Sequence, residues 1–249
     1  MARVIAVANQ KGGVAKTTTV AALAAAWADR GRKVLAVDLD PQAALTYSLG
    51  FEPDEVDPTV HDALAGRTPI GDAVLTVSEG FDLVPANIDL AGAEAYLLGR
   101  TAREYVLHEA LEEVLERYEI VVLDCPPSLG VLTINALTAA DQVLVPLQCE
   151  TLSHRGVGQL LATIDDIRRL TNKRLRVAGL VPTMFDGRTR HARQVLESVG
   201  QEYGVPVLDP IPKSIRFAEA PASGVSILGF SPTHPGAEAY RALAGGLIP

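Results

Sequence analysis

The side chains of this chain best suited to chemistry are Lys11, Lys16, Thr17, Asp40 and Asp124. Three of them fall in one run, Asn9-Gln10-Lys11-Gly12-Gly13-Val14-Ala15-Lys16-Thr17-Thr18-Thr19. Adjacent glycines followed by lysine and threonine suit a loop that wraps phosphates. Its backbone N–H groups turn inward, and a helix after it points its positive end at the anion. Lys16 would reach the terminal phosphates, and the Thr17 hydroxyl would bind Mg²⁺. Lys11, Gly12, Gly13, Val14, Ala15, Lys16, Thr17 and Thr18 are the candidate nucleotide contacts.

The flanking sequence supplies the elements such a loop needs. The apolar run Val4-Ile5-Ala6-Val7-Ala8 precedes it, and the alanine-rich segment from Val20 to Arg30 follows, so the reading is strand, loop, helix. Gly31 supplies the helix stop. Two more apolar runs end in acid: Lys33-Val34-Leu35-Ala36-Val37-Asp38-Leu39-Asp40 and Glu119-Ile120-Val121-Val122-Leu123-Asp124. Ligands of an open parallel sheet bind beyond the carboxyl ends of its strands, so these aspartates should stand beside the loop. Asp124 would hold Mg²⁺ through a water.

The loop departs from the common pattern G-x-x-x-x-G-K-[ST]: its two glycine positions hold Gln10 and Ala15. The string K-G-G-x-x-K-T-T is the signature of the deviant Walker A loop, and the sequence resembles the ParA/MinD group of P-loop ATPases. Asp38-Leu39-Asp40-Pro41-Gln42, Asp124-Cys125-Pro126-Pro127-Ser128, Leu147-Gln148-Cys149-Glu150 and the segment from Ile211 to Pro221 extend the resemblance from Val4 to Ala244 and narrow it to the ParA/Soj branch. Most of that group has glycine where Ala15 stands. A Cβ is costly in the left-handed region, so Ala15 is expected to keep a negative φ.

The resemblance implies the following roles. Asp40 positions or activates the attacking water and helps with Mg²⁺, alongside Thr17 and Asp124, while Asp38 is structural or supports the metal site from behind. The loop at Cys125-Pro126-Pro127-Ser128 lies near the terminal phosphate and acts as a switch. Met184, Phe185 and Pro212 flank the adenine. Lys11 reaches across to the nucleotide of a second subunit, making dimerisation depend on ATP. Arg188, Lys213 and Arg216 contribute to a nonspecific DNA surface, and a ParB/Spo0J-type protein stimulates slow hydrolysis. Lys213 replaces an arginine common at its position, keeping the charge but losing the planar fork.

Composition sets the limits. Of 249 residues 48% are apolar and 5% aromatic, which suits one α/β domain over residues 1–249 with a core of Val, Ile, Leu and Ala. The net charge of −8 is unevenly spread. Residues 1–150 carry 10 Lys/Arg and 22 Asp/Glu, net −12; residues 151–249 carry 12 and 8, net +4. A basic rear half permits a local polyanion-binding face on an acidic protein. No apolar run is long enough to span a membrane, the first strand starts too early for a signal peptide, and a helix-turn-helix domain has no room ahead of it. Cys125 and Cys149 do not form a disulfide framework and stand in no C-x-x-C pair, so they read as core or loop residues of a protein in a reducing cytoplasm, nucleoid-associated when ATP-bound.

The expected architecture is a P-loop α/β fold: a mostly parallel twisted sheet of about seven to eight strands with helices on both faces. Helices are expected over 60–64, 90–98, 102–117, 152–170 and 235–247. Residues 51–80 read as an irregular, acidic insertion around that first short helix and a candidate regulator contact. The helix over 152–170 ends in a basic cluster, Arg168, Arg169, Lys173, Arg174 and Arg176. Two rival functions stay open. A MinD-like membrane-positioning ATPase would need a Lys-rich amphipathic terminal helix, and the tail from Ala239 to Pro249 has one basic residue and two adjacent glycines. A weakly hydrolysing nucleotide-binding module is suggested by Ala15.

Overall fold

The computed structural model describes residues 2–148, 153–187, 198 and 200–248. Seven strands form one sheet: β1 (Arg3–Val7), β2 (Val34–Asp38), β3 (Leu75–Thr76), β4 (Asp82–Val84), β5 (Ile120–Asp124), β6 (Gln142–Gln148) and β7 (Arg176–Thr183). Their spatial order is β3-β4-β2-β5-β1-β6-β7. Every neighbouring pair is parallel except β3 with β4. The α/β expectation therefore holds, with seven strands among the described residues and one short antiparallel edge.

Strands buried on both faces read as continuous apolar runs, and β2 and β5 have all five residues buried. Alternate residues still serve different faces. Val4, Ala6, Leu35, Val37, Val121 and Leu123 pack into one core layer, and Ile5, Val7, Val34, Ala36, Ile120 and Val122 into the other.

The first layer is closed by α3 (Val60–Leu64), α4 (Leu90–Leu98), α5 (Val106–Glu112), α6 (Val131–Ala139) and α7 (Ser153–Leu170). The second is closed by α1 (Lys16–Ala28), α2 (Ala44–Ser48) and the C-terminal helix Pro235–Leu247. Because α1 lies between the sheet and that C-terminal helix, it is buried nearly all round, which is why its sequence is alanine-rich. The Trp27 indole Nε1 donates to the Ala244 carbonyl at 3.0 Å, and Thr19 and Tyr240 join their hydroxyls at 2.9 Å.

The single helix expected over 102–117 is shorter. Ala102 is left-handed, a 3₁₀ turn covers Arg103–Tyr105, and regular helix runs only from Val106 to Glu112. Glu112, Glu113 and Glu116 stand at the negative end of this helix, where carboxylates oppose its continuation. Residues 51–80 are not wholly irregular: besides α3 they hold a 3₁₀ turn at Ile70–Ala73 and β3. The expected helices over 60–64, 90–98 and 235–247 match.

Candidate active site

The parallel order brings the carboxyl ends of β1, β2, β5 and β7 to one edge, where a cavity of about 470 Å³ opens. Gly12, Gly13, Ala15, Lys16, Thr17 and Thr18 form its floor, with Asp40 and Pro127 on one flank and Met184, Pro212 and Lys213 on another. Gly13 takes φ +72°, a turn that needs glycine. No side chain caps the start of α1, so the first N–H groups of that helix are left for an anion.

Ala15 corrects the sequence expectation. It sits at the N-cap of α1 with φ 66° and ψ 34°, in the left-handed region. The turn leads the loop into α1, and the alanine adopts it at a cost of roughly 1–2 kcal/mol. Val14 is fixed on the other side, its carbonyl accepting from the Thr183 hydroxyl at 3.0 Å.

Lys16 is buried, and its ammonium donates to the Lys11 carbonyl at 3.4 Å. Burial lowers its pKa, with Asp124, Cys125 and Asp40 opposing. Asp38 and Asp124 are both fully buried and differ sharply. Asp38 accepts three hydrogen bonds: from the Asp40 backbone at 3.1 Å, the Thr46 backbone at 2.9 Å and the Thr46 hydroxyl at 2.8 Å. Its pKa is pushed up to about 6, chiefly by burial. Neither carboxylate oxygen of Asp124 has a hydrogen-bond partner. Burial and then Asp38 push its pKa well above the usual range, with Thr17 and Lys16 pulling down. A buried carboxylate left bare beside a threonine hydroxyl and a lysine fits a hydrated divalent cation. Asp40 accepts from the Gln42 backbone at 3.0 Å. Cys125 is buried, and burial raises its thiol pKa. Among the described residues no cluster of three or more His, Cys, Asp or Glu side chains stands ready for another metal.

Lys11 occupies a different place from Lys16. It lines a neighbouring cavity of about 420 Å³ with Asn9, Gln10, Val14, Leu147 and Gln159. Its backbone N–H donates to Asn9 Oδ1 at 3.0 Å. Met184 and Pro212 line the larger cavity, but Phe185 does not. The chain turns at Met184, with φ 49°, and the Phe185 ring is directed toward Gly187. Lys213 faces the cavity, whereas Arg216 pairs with Glu219 at 2.9 Å and stands over the Phe230 ring. Arg188 and Cys149 lie outside the described residues.

Among the cavity-lining residues that escape sequence reasoning are Thr183, Phe217 and Tyr240. Phe217 and Tyr240 meet edge to face with centroids 6.0 Å apart. Thr183 does leave a trace, as a polar residue closing an apolar strand. The aromatic pair leaves none, since its partners are far apart in the chain.

A domain family described as "AAA domain" matches residues 2–177. The chain is 44% identical over 246 residues to the sporulation initiation inhibitor protein Soj of Bacillus subtilis, covering 98% of this chain and 97% of that protein. It is 45% identical over 251 residues to the chromosome partitioning protein ParA of Caulobacter vibrioides, covering 99% and 94%. This chain belongs to the ParA/Soj-type chromosome-partitioning ATPases. Among solved structures, a Mycobacterium smegmatis protein named cobyrinic acid a,c-diamide synthase, with bound ADP and magnesium, superposes with a TM-score of 0.90. It is 52% identical, and the match covers 100% of this chain and 94% of that one.

Proposed function

We propose that this ATPase binds ATP and Mg²⁺, dimerises through the bound nucleotide, holds DNA without sequence preference, and uses hydrolysis to position a chromosome, plasmid or protein cargo. The supporting observation is the separation of the two loop lysines. Lys16 lines the phosphate cavity, and Lys11, five residues earlier, lines a different one. A triphosphate over α1 brings more negative charge than Lys16 offsets alone. Lys11 of a second copy supplies the missing cation, a charge-assisted contact that strengthens as water is excluded.

The roles divide as follows. The loop N–H groups and Lys16 bind and orient the phosphates. Met184 and Pro212 flank the base. Thr17, Asp40 and Asp124 hold Mg²⁺, which supplies neutralisation of phosphate charge when bound. Asp40 orients the attacking water. Pro127 lines the cavity and directly extends the Asp124 segment, so the loop there is placed to report the terminal phosphate. Arg188, Lys213 and Arg216 form the DNA surface, with Lys213 lining the nucleotide cavity itself. Turnover is slow until a ParB-type partner completes the site. The protein works in the cytoplasm, on the nucleoid when ATP-bound.

A membrane-positioning role is less well supported, because the apolar face of the C-terminal helix is spent against α1, with Tyr240, Leu243 and Ala244 buried. The name of the mycobacterial structure motivates a second reading, a synthase. Light scattering without nucleotide, with ADP and with ATP, each with and without duplex DNA, tests the proposal. It predicts dimers only with ATP, and DNA binding only by those dimers at physiological salt. An oligomer indifferent to nucleotide would overturn it. Phosphate release stimulated by cobyrinic acid and not by DNA would favour the synthase.

A further inference from the structure

The turn from α7 into β7 holds five cations, Arg168, Arg169, Lys173, Arg174 and Arg176, with no acid among residues 168–176. Two are already engaged: Arg168 pairs with Asp165 at 3.0 Å, and Arg169 with Asp166 at 2.7 Å. Lys173, Arg174 and Arg176 are exposed, and their side chains make no ion pair among the described residues.

The backbone beneath them is fixed. The Asn172 side-chain amide donates to the carbonyls of Leu137 at 3.1 Å and Ala140 at 2.6 Å, and its oxygen accepts from the Arg174 backbone at 3.2 Å. Arg168 Nε donates to the Leu175 carbonyl at 2.8 Å, and the Tyr105 hydroxyl to that of Thr171 at 3.2 Å. Leu175 is buried, so the neighbours on either side of it face outward. The tip also stands far from the nucleotide. Arg176 opens β7 and Thr183, at its other end, lines the nucleotide cavity. Seven strand steps of about 3.3 Å put roughly 23 Å between them.

We propose that Lys173, Arg174 and Arg176 form a second contact for nucleic-acid phosphates, at the opposite pole of the sheet from the nucleotide and independent of ATP. A rigid turn presents the three charges at little ordering cost. Cations free of carboxylate partners gain the full release of counterions from a polyphosphate backbone. The only large apolar side chain exposed beside them among the described residues is Leu170, at 70%, and a lipid surface needs an apolar face to bury. This contact goes beyond the proposed function, whose DNA surface at Arg216 works in the ATP-bound dimer.

The test measures binding of a labelled duplex to nucleotide-free protein across a salt series. The variants are Lys173→Gln/Arg174→Gln/Arg176→Gln, Arg174→Lys/Arg176→Lys, and Arg216→Ala. Weak binding at low salt is expected for wild type, and Arg216→Ala should weaken it less than the triple Gln variant does. The triple Gln variant should lose about tenfold or more, with its log–log salt slope reduced by about 2–3. The double Lys variant keeps all three charges and should retain most of the binding, and all variants should melt like wild type. A wild-type salt response in the triple Gln variant overturns the proposal. So does loss of nucleotide-free binding only in Arg216→Ala, although that result leaves the ATP-dependent DNA surface standing. Charge-dependent binding to anionic vesicles, with none to duplex DNA, overturns it in favour of a membrane surface.

Discussion

Asp38 and Asp124 are direct register partners at the ends of two adjacent parallel strands, yet one carboxylate is saturated with hydrogen bonds and the other has none. The sheet sets both side by side in a dry site. Thr46 then assigns the work, satisfying Asp38 with two donors while its hydroxyl also accepts from the Ala86 backbone at 2.9 Å. Asp38 thus ties β2 to α2, and Asp124 is left for a ligand.

Asp124→Asn therefore separates stability from function. Removing a bare buried carboxylate should leave the nucleotide-free protein as stable as wild type, or more stable by about 1 kcal/mol. Stabilisation by Mg²⁺ with ATP should be largely lost, and hydrolysis should fall by about two orders of magnitude or more. Thermal melting with and without Mg²⁺ and ATP, beside a phosphate-release assay, checks both halves. A variant that melts early without ligand would show that Asp124 serves the fold.

The same pair fixes a pH response. Asp38 titrates near 6 in the folded protein against an ordinary carboxylate value of 3.8, and Asp124 is shifted the same way. A raised carboxylate pKa means that the native state holds a proton the unfolded chain releases. The associated stability is full below about pH 4 and drains away as pH rises through 6, by on the order of 1–3 kcal/mol for Asp38. Urea melts of nucleotide-free, Mg²⁺-free protein should show wild type losing stability from about pH 4 to 6, and Asp124→Asn losing less, because only Asp38 of the pair then titrates. Parallel curves would contradict the assignment.

Ala15→Gly should stabilise the protein. The left-handed cost is relieved, less the extra entropy of glycine in the unfolded chain, for a net gain of about 0.5–1 kcal/mol. In a chain of this size the melting temperature should rise by roughly 2 °C. ATP should bind at least as tightly, as isothermal titration would show. A lower melting temperature would mean that the Ala15 methyl makes contacts worth more than the strain.

Much of the site was legible because its signals are local. Apolar runs closed by Asp38 and Asp124 mark buried strands and place their acids at one sheet edge. Lys16 and Thr17 follow the glycines at fixed spacing. The backbone angle at Ala15 was not legible, since the loop's need for a left-handed residue overrides the preference of alanine. Phe185 and Met184 are adjacent, and only the turn at Met184 decides which of them enters the cavity. Thr183 and the Phe217–Tyr240 wall are contacts between distant segments, to which no local pattern points. The helix expected over 102–117 was cut short by its own glutamates and by Asn135, whose side chain accepts from the Leu107 backbone and donates to the Arg103 carbonyl.

The most direct test of the proposed switch is sedimentation of Lys11→Ala with saturating ATP and Mg²⁺. The account predicts that this variant still binds ATP, because Lys16, Thr17 and the loop backbone are intact, and that it stays monomeric where wild type dimerises. A Lys11→Ala protein that dimerises with ATP as wild type does would contradict it.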